Sequence, residues 1–263
     1  LNILVFIKQV ADTEARILIQ GDGKTLEIEN KYNVNFFDEF AIEEAIKVRD
    51  KMKGSQITAC TLGTKKGIEA LRTAIAMGAD RAFLIDNTGV ATDDSLIIAK
   101  ILAGFARQGS YDLILCGRQA IDDENGSVGI MVAELLGIPH GNAILKLEVV
   151  DEGKVRVESE IEGGKETLEI TLPALLTTQK GLNTPRVPLI AGVMKAMKAS
   201  IATLDPVSLG LAGDEINAGA AGTALLSYES KQERPPVKMI GGETPEEKAG
   251  NLIAALKEEA KVI

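Results

Sequence analysis

The chain has 263 residues, 45% of them hydrophobic, which is enough for a substantial core in one large domain or in a domain with an appendage. A formal charge of −9 and only 3% aromatic residues argue against a nucleic-acid partner, because neither phosphate neutralisation nor base stacking has the material it needs. No run reaches the ~18 apolar residues of a membrane span, so no direct membrane insertion is expected, and a cytoplasmic location, or an organellar matrix if a targeting segment has been removed, is the expectation.

In chain order, apolar runs of β character at 3–7, 57–62, 82–85 and 113–116 alternate with helical patterns at 37–51, 66–77, 93–107 and 127–136. Continuous apolar strands separated by amphipathic helices predict a parallel sheet covered on both faces. Thr92, Asp93 and Asp94 form an N-cap cluster, while Gly78 and Gly137 fall where helices should stop. Residues 17–19 and 26–28, around Gly21, Asp22 and Gly23, read as an antiparallel hairpin after the first strand.

From 143 the pattern becomes alternating, with strands at 154–161 and 166–172 joined by a turn at 162–165 that extends the sheet antiparallel. Residues 177–198, with Pro185, Pro188, Gly181 and Gly192, read as a poor core segment and a surface excursion. Residues 205–238, rich in Gly, Ala, Ser and Pro, read as an extended arm, and 245–259 as a terminal amphipathic helix opened by the capping box Thr244 to Glu247. Cys60 and Cys116 lie in or at the end of apolar runs and are expected to be buried thiols. His140, the only histidine, is expected at a helix end or in a loop, and no metal site is expected.

The most informative stretch is Gly117, Arg118, Gln119, Ala120, Ile121, Asp122, Asp123, Glu124, Asn125, Gly126, Ser127, Val128, Gly129. It joins an apolar strand to a helix, where unpaired N–H groups and the positive end of the helix dipole accept a phosphate. The pattern is neither a dinucleotide fingerprint nor a Walker loop, so by itself it is equally compatible with an ordinary strand-to-helix connection.

Several motifs sharpen it. Val5-Phe6-Ile7-Lys8-Gln9-Val10-Ala11-Asp12-Thr13, Asn35-Phe36-Phe37-Asp38-Glu39-Phe40-Ala41-Ile42-Glu43-Glu44-Ala45, and Leu71-Arg72-Thr73-Ala74-Ile75-Ala76-Met77-Gly78-Ala79-Asp80-Arg81-Ala82 precede the Gly117 loop. Leu172-Pro173-Ala174-Leu175-Leu176-Thr177, Leu182-Asn183-Thr184-Pro185-Arg186 and Met194-Lys195-Ala196-Met197-Lys198 follow it. Together they resemble the β subunits of the electron-transfer flavoprotein family. The resemblance implies an α/β fold with a doubly wound parallel sheet, adenine-nucleotide α-hydrolase-like, carrying an antiparallel extension and a C-terminal arm and helix. It implies a nucleotide-binding domain over 1–200 that includes a recognition loop at 186–198, and an arm and helix over 201–263 that pack on a partner α subunit.

The implied function is that of an electron carrier without catalytic residues of its own. FAD, held mainly by the α subunit, takes electrons from acyl-CoA dehydrogenases and passes them to a membrane quinone reductase. This chain's own site would hold structural AMP at Phe6, Asn35, Phe36, Phe37, Asp38, Leu62 and the loop from Gly117 to Val128. N–H groups of Gly126, Ser127 and Val128 would face the phosphate, Asp122 and Asp123 would cap the helix or meet ribose hydroxyls, and Phe37 would stand nearest the flavin. Docking to the dehydrogenase would use Arg186, Ile190, Lys195 and Lys198, with Ile190 as the apolar anchor. Three residues depart from the family pattern: Ala11 and Phe36 replace prolines, and Val128 replaces the threonine usual in AMP-binding members. Val128 keeps open an electron-bifurcating alternative with a second FAD and NADH oxidation. A different class, an ATP-cleaving ligase or hydrolase, would need a Ser/Gly-rich loop after the first strand, where Lys8 to Asp12 has no glycine. A nucleotide-sensing module would leave the motifs between 172 and 198 unexplained.

Overall fold

The computed structural model describes residues 1–231 and 236–263. Strand β1 (Asn2–Phe6) is apolar on both faces because it lies inside the sheet: Ile3 and Val5 enter one core layer, Leu4 and Phe6 the other. Next come β2 (Gln9–Ala11), the antiparallel hairpin β3 (Ile17–Ile19) and β4 (Leu26–Ile28), and β5 (Tyr32–Val34), which pairs back on β2. Helix α1 (Phe36–Lys51) returns the chain to β6 (Gln56–Gly63), α2 (Ile68–Met77), β7 (Arg81–Asp86), α3 (Ser95–Gln108), β8 (Leu113–Gly117) and α4 (Val128–Leu136). Asp94 caps α3, accepting the N–H groups of Leu96 and Ile97, and Gly78 and Gly137 end α2 and α4 with positive φ, as the sequence indicates.

The sheet continues through β9 (His140–Asp151), β10 (Lys154–Ile161), β11 (Gly164–Thr171), β12 (Ala174–Thr178) and, after α5 (Ile190–Lys198), β13 (Ala202–Leu204). Its order is β11-β10-β9-β12-β8-β1-β6-β7-β13, parallel from β9 to β13 and antiparallel from β9 to β11. The fold is thus α/β with the expected antiparallel extension. One core layer lies under α1 and α2, the other under α3 and α4.

Four sequence expectations need correction. His140 is the first residue of β9, opposite Leu175, and not a loop or helix-end residue. The turn between β10 and β11 has two residues, Glu162 and Gly163, since pairing already resumes at Ile161 with Gly164, and the φ of +79° at Gly163 permits so tight a reversal. Thr177 and Thr178 are not excursion residues: they complete β12, buried between β8 and β9. The excursion also contains a helix, α5, which packs on α2 where Gly192 faces the Ala76 carbonyl so closely that a Cβ would overlap it.

The chain divides into compact units at 1–227 and 228–263, later than residue 200. The reason is that β13 pairs with β7, and Leu209 and Ile216 are buried in the layer under α3. Within the second unit, α6 (Pro245–Ala254) continues into a wider turn at Ala255–Glu259. Thr244 caps α6 by accepting the Glu247 N–H, but Glu247 reaches back to the Glu243 N–H and not to Thr244, so half of the expected box forms. No helix among the described residues is long and apolar enough to cross a membrane.

Candidate functional site

The chain leaves β1 toward β6 and β7, then returns to β8 on the opposite flank of β1. Helices α1 and α4, which follow these two strands, therefore cover opposite layers. The divergence opens a crevice at the strands' carboxyl ends, which is where open α/β sheets bind ligands.

Helix α1 supplies the scaffold of this crevice. Asn35 at its N-cap is buried and ties the loop after β8: Nδ2 donates to the Gln119 carbonyl at 2.9 Å, and Oδ1 accepts the Ile121 N–H at 3.1 Å. One turn on, the Asp38 carboxylate accepts the N–H groups of Lys8 at 2.7 Å and Gly117 at 2.8 Å. Burial pushes the Asp38 carboxyl up to about 7, outweighing these two bonds, the Asn35 amide and the nearby Lys8 charge. Gly117 must be glycine, because a Cβ there would overlap the Asp38 carboxylate and Phe37. Cys60 and Cys116 are buried free thiols, both held above the ordinary range by burial.

The loop itself is tied at its exposed side. The Lys8 ammonium meets Asp122 at 2.8 Å and Asp123 at 3.0 Å; burial opposes its charge, yet the two carboxylates hold it above its ordinary value. Asp123 also accepts the Asn125 N–H, and Asn125 Nδ2 donates to Ser95 Oγ at 2.7 Å, at the start of α3. Glu124 and Gly126 take positive φ values, 51° and 67°, which turn the backbone into α4. Ser127 occupies the N-cap of α4, but its hydroxyl donates to Asn125 Oδ1 and caps nothing. Among the described residues no acceptor takes the N–H groups of Gly126, Ser127 and Val128. Gly129 brings this helix end down on the sheet: a Cβ would fall 2.8 Å from Cys116 Sγ and 2.9 Å from a Thr177 methyl.

The expected cofactor residues thus converge, though in different capacities. Asn35, Asp38 and the loop from Gly117 through Arg118, Gln119, Ala120, Ile121, Asp122, Asp123, Glu124, Asn125, Gly126, Ser127 and Val128 form one network at the switch point. Phe6 is buried and Leu62 half-buried in the layer under α3, at the carboxyl ends of β1 and β6. Phe36 is exposed and packs edge-on against the half-buried Phe37, whose carbonyl accepts the Thr178 hydroxyl at 2.8 Å. The Arg118 guanidinium lies 5.3 Å from the Phe37 ring centre, and its Nε is buried without a partner. Asp122 and Asp123 do not cap α4, contrary to one expected role, because the Lys8 ammonium holds them on the β1 side.

Lys8, Ser95, Gly129 and Thr178 were not among the expected site residues. Lys8 and Thr178 each follow or end an apolar strand, and a polar residue at the carboxyl end of a central strand is the signal that points to both. At the docking segment, Ile190 is 84% exposed and is no core residue, Arg186 pairs with Glu43, and Lys195 and Lys198 are exposed on α5.

The Electron transfer flavoprotein domain matches residues 24–209. The electron transfer flavoprotein subunit beta of Bacillus subtilis is 38% identical to this chain over 264 residues, covering all of both chains. The subunit of the same name from mouse is 35% identical, covering all of this chain and 99% of its own, and that from Dictyostelium discoideum 36%, with the same coverage.

Proposed function

Since this chain belongs to the electron transfer flavoprotein family as a β subunit, we propose that it pairs with an α subunit and holds AMP at the β1/β8 switch point. The α subunit holds most of an FAD against it. The arm and terminal helix beyond residue 227 are its contribution to the heterodimer. Acyl-CoA dehydrogenases deliver electrons and a membrane quinone reductase receives them, in the cytoplasm of a bacterium or in an organellar matrix. FAD supplies the redox chemistry when bound; AMP supplies none.

The observation that carries the reading is the set of free N–H groups at Gly126, Ser127 and Val128, aimed from the positive end of α4. This donor set fits a phosphate monoester. The chain's own residues then act by position. Asn35 fixes the backbone direction of residues 119–121, Asp38 fixes the junction of β1 and β8, and the pair of Lys8 with Asp122 and Asp123 closes the outer side. Arg118, with its guanidinium over the Phe37 ring of α1 and an unused Nε, adds a cation to this side of the loop.

Val128 supports a second reading, with a second FAD in place of AMP and NADH as a donor, because its side chain offers no hydroxyl to a phosphate. Chromatography of the nucleotides released from the denatured αβ complex separates the two. One AMP and one FAD per complex is the expected result; two FAD and no AMP establishes the second reading. The isolated chain is expected to purify colourless, since the flavin belongs mainly to the α subunit, and stoichiometric FAD on it overturns the assignment.

A further inference from the structure

Glu43 and Glu44 are neighbours in α1 and both are buried, 6% and 2% exposed, although adjacent charges on a helix are normally solvated. The nucleotide site uses neither. The Glu43 carboxylate accepts three hydrogen bonds from Arg186: the backbone N–H at 3.1 Å, Nε at 2.8 Å and Nη2 at 2.9 Å. Glu44 accepts Asn183 Nδ2 at 2.9 Å and Lys47 Nζ at 2.9 Å, and the same Asn183 amide also donates to the Phe40 carbonyl at 3.0 Å. A buried carboxylate is tolerated only when matched in this way, and the forked guanidinium contact fixes direction as well as position.

The grip stops at Arg186, and the following apolar residues Val187, Leu189 and Ile190 are 86%, 78% and 84% exposed. Behind them the chain is fixed again, where Gly192 presses on the Ala76 carbonyl of α2. An exposed apolar tip is therefore clamped on both sides. Clamping removes ordering cost from association, so the tip can place its side chains in a partner's pocket without first giving up chain freedom.

We infer that Glu43 and Glu44 are positioning residues for partner docking: they hold residues 183–186 so that Val187, Leu189 and Ile190 form a preset tip for a dehydrogenase with an apolar pocket. This rests on the reading of this chain as an electron-transfer flavoprotein β subunit and on the docking segment at Arg186, Ile190, Lys195 and Lys198 that the family resemblance implies. The test uses the αβ complex with Glu43→Gln, Arg186→Lys and Ile190→Ala. It measures KM and kcat for reduction by an acyl-CoA dehydrogenase, bound nucleotide, and hydrogen exchange of the 186–191 amides.

Glu43→Gln is expected to raise KM about five- to tenfold and to speed exchange at 186–191, with kcat and bound nucleotide within about twofold of wild type. Arg186→Lys keeps the charge but loses the fork, and is expected to raise KM about two- to threefold. If Glu43→Gln loads nucleotide normally and keeps the wild-type KM while Ile190→Ala raises it, the positioning role is wrong. If Ile190→Ala also leaves KM unchanged, docking lies elsewhere and both readings fall. Should Glu43→Gln not assemble, Arg186→Lys decides: wild-type KM with wild-type exchange at 186–191 overturns the inference.

Discussion

The loop after β8 and the segment after β12 leave neighbouring strands, and both are gripped by α1, yet by opposite means. Asn35 and Asp38 hold the first region through its backbone: an amide and a carboxylate take up the carbonyl of Gln119 and the N–H groups of Ile121, Gly117 and Lys8. Glu43 and Glu44 hold the second largely through side chains, Arg186 and Asn183. Backbone capture fixes where a loop's own N–H groups point, which is what an anion needs. A side-chain grip instead leaves the next residues bare, which is what a protein partner needs. The two grips lie five to nine residues apart, about 8–14 Å along one helix, so one rigid body sets both surfaces.

Gly117→Ala is expected to damage the first grip most, because the new methyl overlaps both the Asp38 carboxylate and the Phe37 Cβ. Overpacking of this kind costs on the order of 1–3 kcal/mol, so thermal denaturation should move down by several degrees and bound nucleotide should fall. Near-wild-type melting would show that the Asp38 junction is looser than its geometry implies.

Asp38→Asn sharpens the comparison through pH. The carboxyl ionises near 3.8 when the chain is unfolded and at about 7 in the fold, so between those values the folded protein binds more protons. Its contribution to stability is complete below pH 3.8, declines as pH rises to about 7, and is level above. The difference in stability between wild type and Asp38→Asn should therefore change by a few kcal/mol between pH 4 and 7. Parallel denaturant-midpoint curves across that window would place the titration elsewhere.

Asn35→Asp keeps shape but sets a carboxylate against the Gln119 carbonyl, trading a donor for a repulsion. Nucleotide retention is expected to drop about tenfold, for a cost near 1.4 kcal/mol; unchanged retention would mean that Asn35 does not set the loop. The smallest effect belongs to Lys8→Met. Its ion pairs with Asp122 and Asp123 are about half exposed, so loss of less than about 1 kcal/mol is expected in urea unfolding, and a larger loss would show that the loop depends on its outer tie.

The parallel strands and their helices are legible in the sequence because burial on both faces makes β1, β6, β7 and β8 continuous apolar runs. The phosphate-facing loop is legible for a local reason, small residues between such a strand and a helix. What escapes local patterns is set by distant partners. Strand β12 offers only Ala174, Leu175 and Leu176 after a proline, and its place is decided by pairing with β8 and β9. Helix α5 carries Gly192 because of α2, not because of its own propensity. Strand β13 is three residues long and exists through β7. Nothing local in the sequence marks Glu43 and Glu44 as buried: their partners Arg186 and Asn183 lie about 140 residues away.

A phosphate at the start of α4 is most directly tested by comparing Gly126→Ala with Gly126→Glu and counting nucleotide per purified αβ complex. Both substitutions strain a residue at φ 67°, where a methyl still meets only ordinary contacts, at a cost of about 1–2 kcal/mol. Only glutamate brings a negative charge to the positive helix end. The expected result is a Gly126→Ala complex that keeps most of its nucleotide and a Gly126→Glu complex that keeps less than about a tenth. Full nucleotide content in the Gly126→Glu complex would contradict the site.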